Sequence, residues 1–315
     1  MSKVLVLGAG ASVAYGYPLG SRLRQEILNL SQHDAMVAGI VRERYETLDI
    51  RELVKFQETF KHSQLYSIDA FLAKRKEFSE IGKKCIARVL LRCEGSKPLF
   101  LESSDKDHWY QYAFNQIAQR EWDELTFDDL AIVTFNYDRS LEHFLYVALQ
   151  STYGKSAYEV SAKLKTLRIV HVYGALCEAL PGDDGYLSYD GKIDADKIAA
   201  AASGLVVIPE GRSDSPTIVR AREWLGSARS ICFLGFGFDS LNVERLSMDE
   251  SCLRWKQTNQ GRIIRGIYGT CIGMTKAEIN AAVSSLSGAS ASELGDHAFQ
   301  PVNCTQMLRE TLFFR

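Results

Sequence analysis

The residues Gly8-Ala9-Gly10-Ala11-Ser12 follow directly on a short apolar run, Val4–Leu7, with Gly16 and Pro18 a few positions further on. A strand that ends in a tight turn of small residues and then opens a helix is a potential anion site. Backbone N–H groups and the helix dipole converge there, and small side chains let a diphosphate approach the backbone. This chemistry suits a nucleotide or a dinucleotide. The same glycines also have a purely architectural use, since they permit close packing of helix on strand. The dehydrogenase fingerprint GxGxxG is not met, because its third glycine falls at Val13. The acidic residue required about 20 positions on, at the end of a second strand, has only Asp34 as a counterpart, and Asp34 lies in a helical pattern. Hydride transfer is therefore disfavoured. Metal chemistry is disfavoured too. The seven cysteines, at 85, 93, 177, 232, 252, 271 and 304, contain no CxxC pair, and the six histidines form no HxH or HExxH. Reduced, mostly buried thiols in a cytosol are expected.

The elements that must position such a loop are legible as short apolar runs alternating with helical patterns. Leu130–Phe135, Leu167–Tyr173, Leu205–Ile208, Ile231–Leu234 and Ile263–Tyr268 read as strands. Helical patterns cover Leu19–Leu30, Ser140–Gln150, Thr217–Leu225 and Leu241–Met248, and Ser215-Pro216 reads as an N-cap followed by the first helical position. Alternation of this kind predicts right-handed crossovers and a Rossmann-like α/β fold with a doubly wound, mostly parallel sheet. Residues 35–125 differ, with helical patterns over Ile81–Arg92 and Trp109–Arg120, a helix opening at Ser67, and almost no strand signal. They read as a helical module inserted into a Rossmann-like domain made of residues 1–34 and 126–315. Pro181–Lys192 reads as a loop and Ser287–Ser292 as a flexible connector.

Composition excludes several classes. The 315 residues are 46% hydrophobic and 10% aromatic with only 6 prolines, so the chain is neither disordered nor of low complexity. Thirty-seven basic against 39 acidic residues give a net charge of −2 with no charged block, so intrinsic nucleic-acid binding is not expected. No apolar run approaches the roughly 20 residues of a membrane span. The opening apolar run is too short for a signal-peptide core, so a cytoplasmic protein is expected.

The GAGAS loop with Gly16 and Pro18 resembles the NAD-binding loop of the sirtuin superfamily. Further segments share the resemblance. Thr134-Phe135-Asn136-Tyr137-Asp138 looks like the superfamily's second motif, Val172-Tyr173-Gly174 lies where the family carries His-Gly, and Leu234-Gly235-Phe236-Gly237-Phe238 looks like its ribose- and phosphate-contacting loop. Ser67–Leu72 and Tyr268-Gly269-Thr270 resemble segments of the sirtuin-like bacterial NADase branch. Protein-deacylating sirtuins usually carry a zinc module with two CxxC pairs, which this chain lacks. The resemblance therefore implies the branch that hydrolyses NAD to nicotinamide and ADP-ribose in antiphage defence, with NAD as substrate and no metal.

The resemblance also implies site roles. Gly8, Ala9, Gly10, Ala11, Ser12 and Pro18 would surround the diphosphate, with Gly235, Gly237 and Thr270 on the far half of the dinucleotide. Asn136 would hold the attacking water or the ribose hydroxyls, an amide being able to donate and accept at once. Asp138 would orient the nicotinamide amide or the loop, or else cap the helix that follows; Ser12 has a capping alternative of its own. The chain departs from the family at Tyr173, which occupies the position of the catalytic histidine. His171 lies two residues earlier on the same strand, hence on the same face. Three readings stay open: His171 as base with Tyr173 lining the pocket, Tyr173 as base despite an ordinary pKa near 10, or a site that binds without catalysis. A catalytically inactive module sensing NAD or ADP-ribose is accordingly the competing function, and a different nucleoside-chemistry enzyme on this scaffold a third. Unchecked NAD loss would kill its host, so control by a homo-oligomer or by a complex with a separate sensor protein is expected.

Overall fold

A computed structural model describes residues 3–40, 42–44, 47–100, 107–207, 215–248, 266–287 and 298–314. Its strands are β1 (Lys3–Leu7), β2 (Arg42–Arg44), β3 (Thr47–Asp49), β4 (Leu130–Thr134), β5 (Arg168–His171), β6 (Ser230–Leu234), β7 (Gly266–Thr270) and β8 (Phe299–Gln300). Six of them form one sheet in the order β5-β4-β1-β6-β7-β8, every neighbouring pair parallel. Numbered within the sheet alone, this is 3-2-1-4-5-6, the Rossmann order, which reverses direction between β1 and β6. Right-handed crossovers then place helices on opposite faces on either side of the reversal. Val4–Leu7 and the whole of β4 are buried, as strands covered on both faces must be.

The helices start where the sequence supplies caps. Ser67 Oγ accepts from the Asp69 and Ala70 N–H groups at the head of α4 (Ile68–Lys74). Ser215 caps α11 (Pro216–Ser227), with Pro216 at the first position. Ser31 and Asp34 form a capping box on α2 (Gln32–Val37), and Asp34 also binds Arg88, so it is no ribose ligand at a strand end.

Three features differ from the sequence reading, and two of its segments fall partly outside the described residues. Leu205–Val207 make no strand. Gly174 and Leu205 form a single antiparallel bridge, because Val206 N–H donates to the Tyr173 carbonyl rather than to a strand; Ile208 lies outside the described residues. The seventh strand begins at Gly266, with 263–265 also outside them, as is most of the 287–292 connector. Arg42–Arg44 and Thr47–Asp49 form an antiparallel hairpin in a stretch read as helical. Phe299–Gln300 adds an edge strand too short to show any periodicity.

The described residues between 47 and 100 and from 107 to 125 share one core with the sheet. One hydrophobic cluster runs from Val4–Leu7 through Phe56, Phe60, Phe71 and Phe78 to Trp109 and Tyr110. Trp109 Nε1 donates to the Ala11 carbonyl at 2.8 Å, and Tyr110 stacks on Tyr15 with ring centroids 3.7 Å apart. The loop that follows α5 (Ser79–Leu91) buries Glu94 against Arg139, which precedes α8 (Ser140–Tyr153), in a two-pronged ion pair of 2.7 and 3.0 Å. Lys197 of α10 (Ala195–Ser203) lies 3.8 Å from the same carboxylate.

Where the sheet order reverses, the loops after β1 and β6 meet backbone to backbone. Gly10 N–H donates to Gly235 O at 2.9 Å. A Cβ on Gly8 would stand 2.6 Å from that oxygen, one on Gly10 would stand 2.7 Å from Gly235 Cα, and one on Gly235 would overlap the Ala11 nitrogen. Gly235 is also left-handed, with φ +57°, whereas a Cβ on Gly237 meets open space. Gly235→Ala is therefore expected to lose about 2 kcal/mol or more of stability, with Gly237→Ala near neutral; thermal denaturation of the two variants side by side checks this.

Candidate functional site

The C-terminal ends of β1 and β4 carry the residues of interest, and the parallel register Leu7↔Thr134 brings their loops together. Asn136 is buried and its amide nitrogen reaches back across the gap, donating to Gly8 O at 2.9 Å and to Ser12 Oγ at 3.1 Å. The Gly8 carbonyl can only accept, which fixes which end of the amide is which. Both amide hydrogens are thereby committed inside the protein. The amide can still accept through Oδ1, but it cannot donate and accept at once toward a ligand.

A cleft of about 100 Å³ opens beside this contact, lined by Ala9, Ser12, Pro18, Asp69, Asn136 and Asp138, with Tyr17, Phe135 and Tyr137 among its walls. The sequence reading thus has Ala9, Ser12, Pro18, Asn136 and Asp138 in one place. Beneath it runs a polar chain. Asp138 is buried and accepts from the Ser140 N–H at 3.1 Å, from the Ser140 hydroxyl and from Ser12. The Tyr110 hydroxyl joins Ser140 at 2.7 Å. Burial pushes the Asp138 carboxyl above the usual carboxylate range, against the pull of these donors. Asp138 thus accepts the first N–H of α8 and also lines the cleft. At the rim the Tyr17 and Tyr189 hydroxyls pair at 2.8 Å.

The glycine loop is built differently from the convergent phosphate cradle. Gly8 N–H donates to Leu234 O at 3.0 Å, Gly10 N–H to Gly235 O, and Ala11 N–H to Gly8 O at 2.9 Å. Three of the expected phosphate donors are thus engaged internally, and the helix that follows is a seven-residue 3-10 turn, Ala9–Tyr15. Gly8, Gly10 and Gly235 serve the loop–loop contact. Thr270 is buried and accepts the Gly235 N–H on Oγ1 at 2.8 Å, so it positions that loop. Gly237 stands in open space beyond it.

Neither candidate base faces the cleft. The expectation that His171 and Tyr173 share a strand face fails because β5 ends at His171. A turn from 171 to 174, closed by Gly174 N–H on His171 O and by Gly174 at φ +72°, redirects the chain. His171 is buried, with Nδ1 2.8 Å from the Asn136 carbonyl and Nε2 2.7 Å from Glu142 Oε1. The carbonyl fixes Nδ1 as a donor. Burial opposes the charge, but Glu142 and the Asn136 carbonyl outweigh it and hold the imidazole up at about 9. The ring is an imidazolium with both nitrogens occupied, so it holds the Asn136 backbone and cannot take a proton. Tyr173 donates to Asn242 Oδ1 at 2.5 Å and accepts from Arg245. Burial raises its pKa, despite the guanidinium, so the phenolate that would have to act as base is scarcer than in free tyrosine.

Asp69 is the cleft residue that sequence reasoning did not single out. It stands in the first turn of α4, and the Tyr137 hydroxyl donates to its Oδ1. The sequence marks Ser67–Leu72 only as a helix start and a segment of family resemblance, with nothing to distinguish Asp69 within it. Among the described residues no group of three or more His, Cys, Asp or Glu side chains is placed to hold a metal ion, and no helix is long and apolar enough to cross a membrane.

No protein-family model matches this sequence, and a search of curated proteins finds no match.

The His171–Glu142 pair makes stability depend on pH. The folded pKa lies above the unfolded value of 6.5, so the pair's contribution is complete below about pH 6.5 and disappears as the pH rises through about 9. Urea denaturation is expected to lose on the order of 2 kcal/mol between about pH 6 and pH 10, and Glu142→Gln should flatten that slope.

Proposed function

We propose that this protein is an NAD hydrolase that releases nicotinamide and ADP-ribose. The observation that carries the reading is the single cleft in which the Asn136 side chain, Ser12, Ala9 and Pro18 meet at the ends of adjacent parallel strands, where ligands bind in sheets of this kind. At about 100 Å³ the cleft is smaller than the roughly 300–1,000 Å³ of ordinary ligand pockets, so the reading places only the reacting end of a dinucleotide there. In this reading the nicotinamide riboside enters the cleft and the diphosphate lies along Ala9 and Ser12.

Breaking the bond between nicotinamide and ribose develops positive charge on the sugar, while the leaving ring neutralises its own. The protein has to hold the ribose, limit bulk water and aim one water at the anomeric carbon. Asn136 Oδ1 suits the last task. It accepts one hydrogen of a water and thereby fixes the direction of the oxygen lone pair, while Gly8, Ser12 and the His171 clamp keep the amide from turning. A role as toxic effector of bacterial antiphage defence, held in check by self-assembly or by a sensor partner, follows from the sirtuin-like resemblance and is part of the proposal.

A second reading is a module that binds NAD or ADP-ribose without turnover. What favours it is the occupation of His171 and Tyr173 by other partners and of three loop N–H groups by carbonyls. Incubation with NAD at enzyme concentrations comparable to substrate separates the two. The hydrolase reading expects nicotinamide release that Asn136→Ala reduces at least about 100-fold with the fold retained. Tight ADP-ribose binding with no nicotinamide released leaves the sensor reading instead.

A further inference from the structure

We propose that Asp69 is the catalytic carboxylate of this cleft, stabilising the positively charged sugar and taking the proton of the attacking water; the proposal rests on the hydrolase reading above. The cleft walls hold two carboxyl groups. Asp138 is committed to the Ser140 N–H, the Ser140 hydroxyl and Ser12. Asp69 instead takes one hydroxyl on each oxygen, Tyr137 on Oδ1 and Ser67 on Oδ2 at 3.2 Å. A carboxylate oxygen accepts two hydrogen bonds, so each retains capacity for a water or a ribose hydroxyl. The remaining titratable side chains of the wall are poorer bases: Tyr17 pairs with Tyr189, and Tyr137 donates to Asp69 itself.

The environment tunes Asp69 for the task. Burial raises its carboxyl to about 6, against the pull of Ser67 and of Arg245, while Asp239 pushes it further up. The groups facing it from other elements are Tyr137 after β4, Tyr173 after β5, and Asp239 and Arg245, one the cap and the other a member of α12 (Ser240–Leu246). A base of this strength is largely ionised at neutral pH yet strong enough to accept a proton. The step balances. The C1′–N bond breaks with its electron pair passing to the ring nitrogen, giving neutral nicotinamide. The water oxygen bonds to C1′, one water proton passes to Asp69, and Asp69 later returns it to solvent.

The test uses the full chain and compares wild type, Asp69→Asn, Asp69→Glu and Tyr137→Phe by nicotinamide release, ADP-ribose calorimetry and circular dichroism. Asp69→Asn is expected to lower kcat by about 100- to 10,000-fold with KM and ADP-ribose affinity within about twofold, and to abolish the acid limb that wild type shows near pH 6. Asp69→Glu should recover part of the rate. Tyr137→Phe removes a donor to the ionised form and should move the acid limb to higher pH, which keeps the proposal testable should Asp69→Asn not fold. Turnover by Asp69→Asn within about threefold of wild type, or an acid limb unmoved in Tyr137→Phe, overturns the role of Asp69 and leaves the hydrolase reading standing. Wild type that binds ADP-ribose without releasing nicotinamide overturns both.

Discussion

Asn136 is held at both ends, and the geometry of the sheet edge depends on it. Its side-chain nitrogen bridges to the β1 loop through Gly8 O and Ser12 Oγ, while its backbone carbonyl is gripped from the opposite side by the His171 imidazolium. A buried amide with unmatched hydrogens would be costly. Glu142 keeps His171 charged, so an ion pair on one side of the strand fixes an amide on the other. The free acceptor of that amide is the group through which the proposed chemistry aims its water.

The glycines around the cleft show how one residue type serves architecture and chemistry together. Gly8, Gly10 and Gly235 let two loops touch at the reversal of the sheet, and Thr270 locks the second loop from β7. The cleft lies at the neighbouring gap, between the ends of β1 and β4. The buried Glu94–Arg139 pair then secures the chain just beyond Asp138, joining the loop after α5 to the start of α8 in low dielectric. Removing either charge alone would strand the other, which is why such pairs act as anchors even when their net contribution is modest.

Much of this was legible in the residues. Five of the six sheet strands announced themselves as apolar runs bounded by turn residues, because strands covered on both faces must be apolar throughout. Ser67, Ser215 and Pro216 marked helix starts because capping is a local interaction. The meeting of Asn136 with the glycine loop followed from strand-end placement in a parallel sheet. What was not legible depended on tertiary context. Leu205–Val207 has a strand-like sequence and no strand neighbour to bond. His171 and Tyr173 share a face only if the strand continues, and it stops between them. The engagement of the loop N–H groups is decided by Gly235, more than 200 residues away. Asp69 carries no signal in the sequence, because only the fold brings Tyr137 and the cleft to it.

The strand order also governs how the chain can assemble. β1 precedes its partners in sequence yet lies between them, pairing with the strand that begins at Leu130 and with the one that begins at Ser230. At a synthesis rate of about 5–20 residues per second, its second edge waits on the order of ten seconds or longer after emergence. During that interval Val4–Leu7 is a fully apolar segment with an unpaired flank, the kind of surface that holdase chaperones recognise. The first strand to be made is thus enclosed on its second edge only after Ser230 has emerged, whereas every residue lining the cleft, from Ala9 to Asp138, is made earlier.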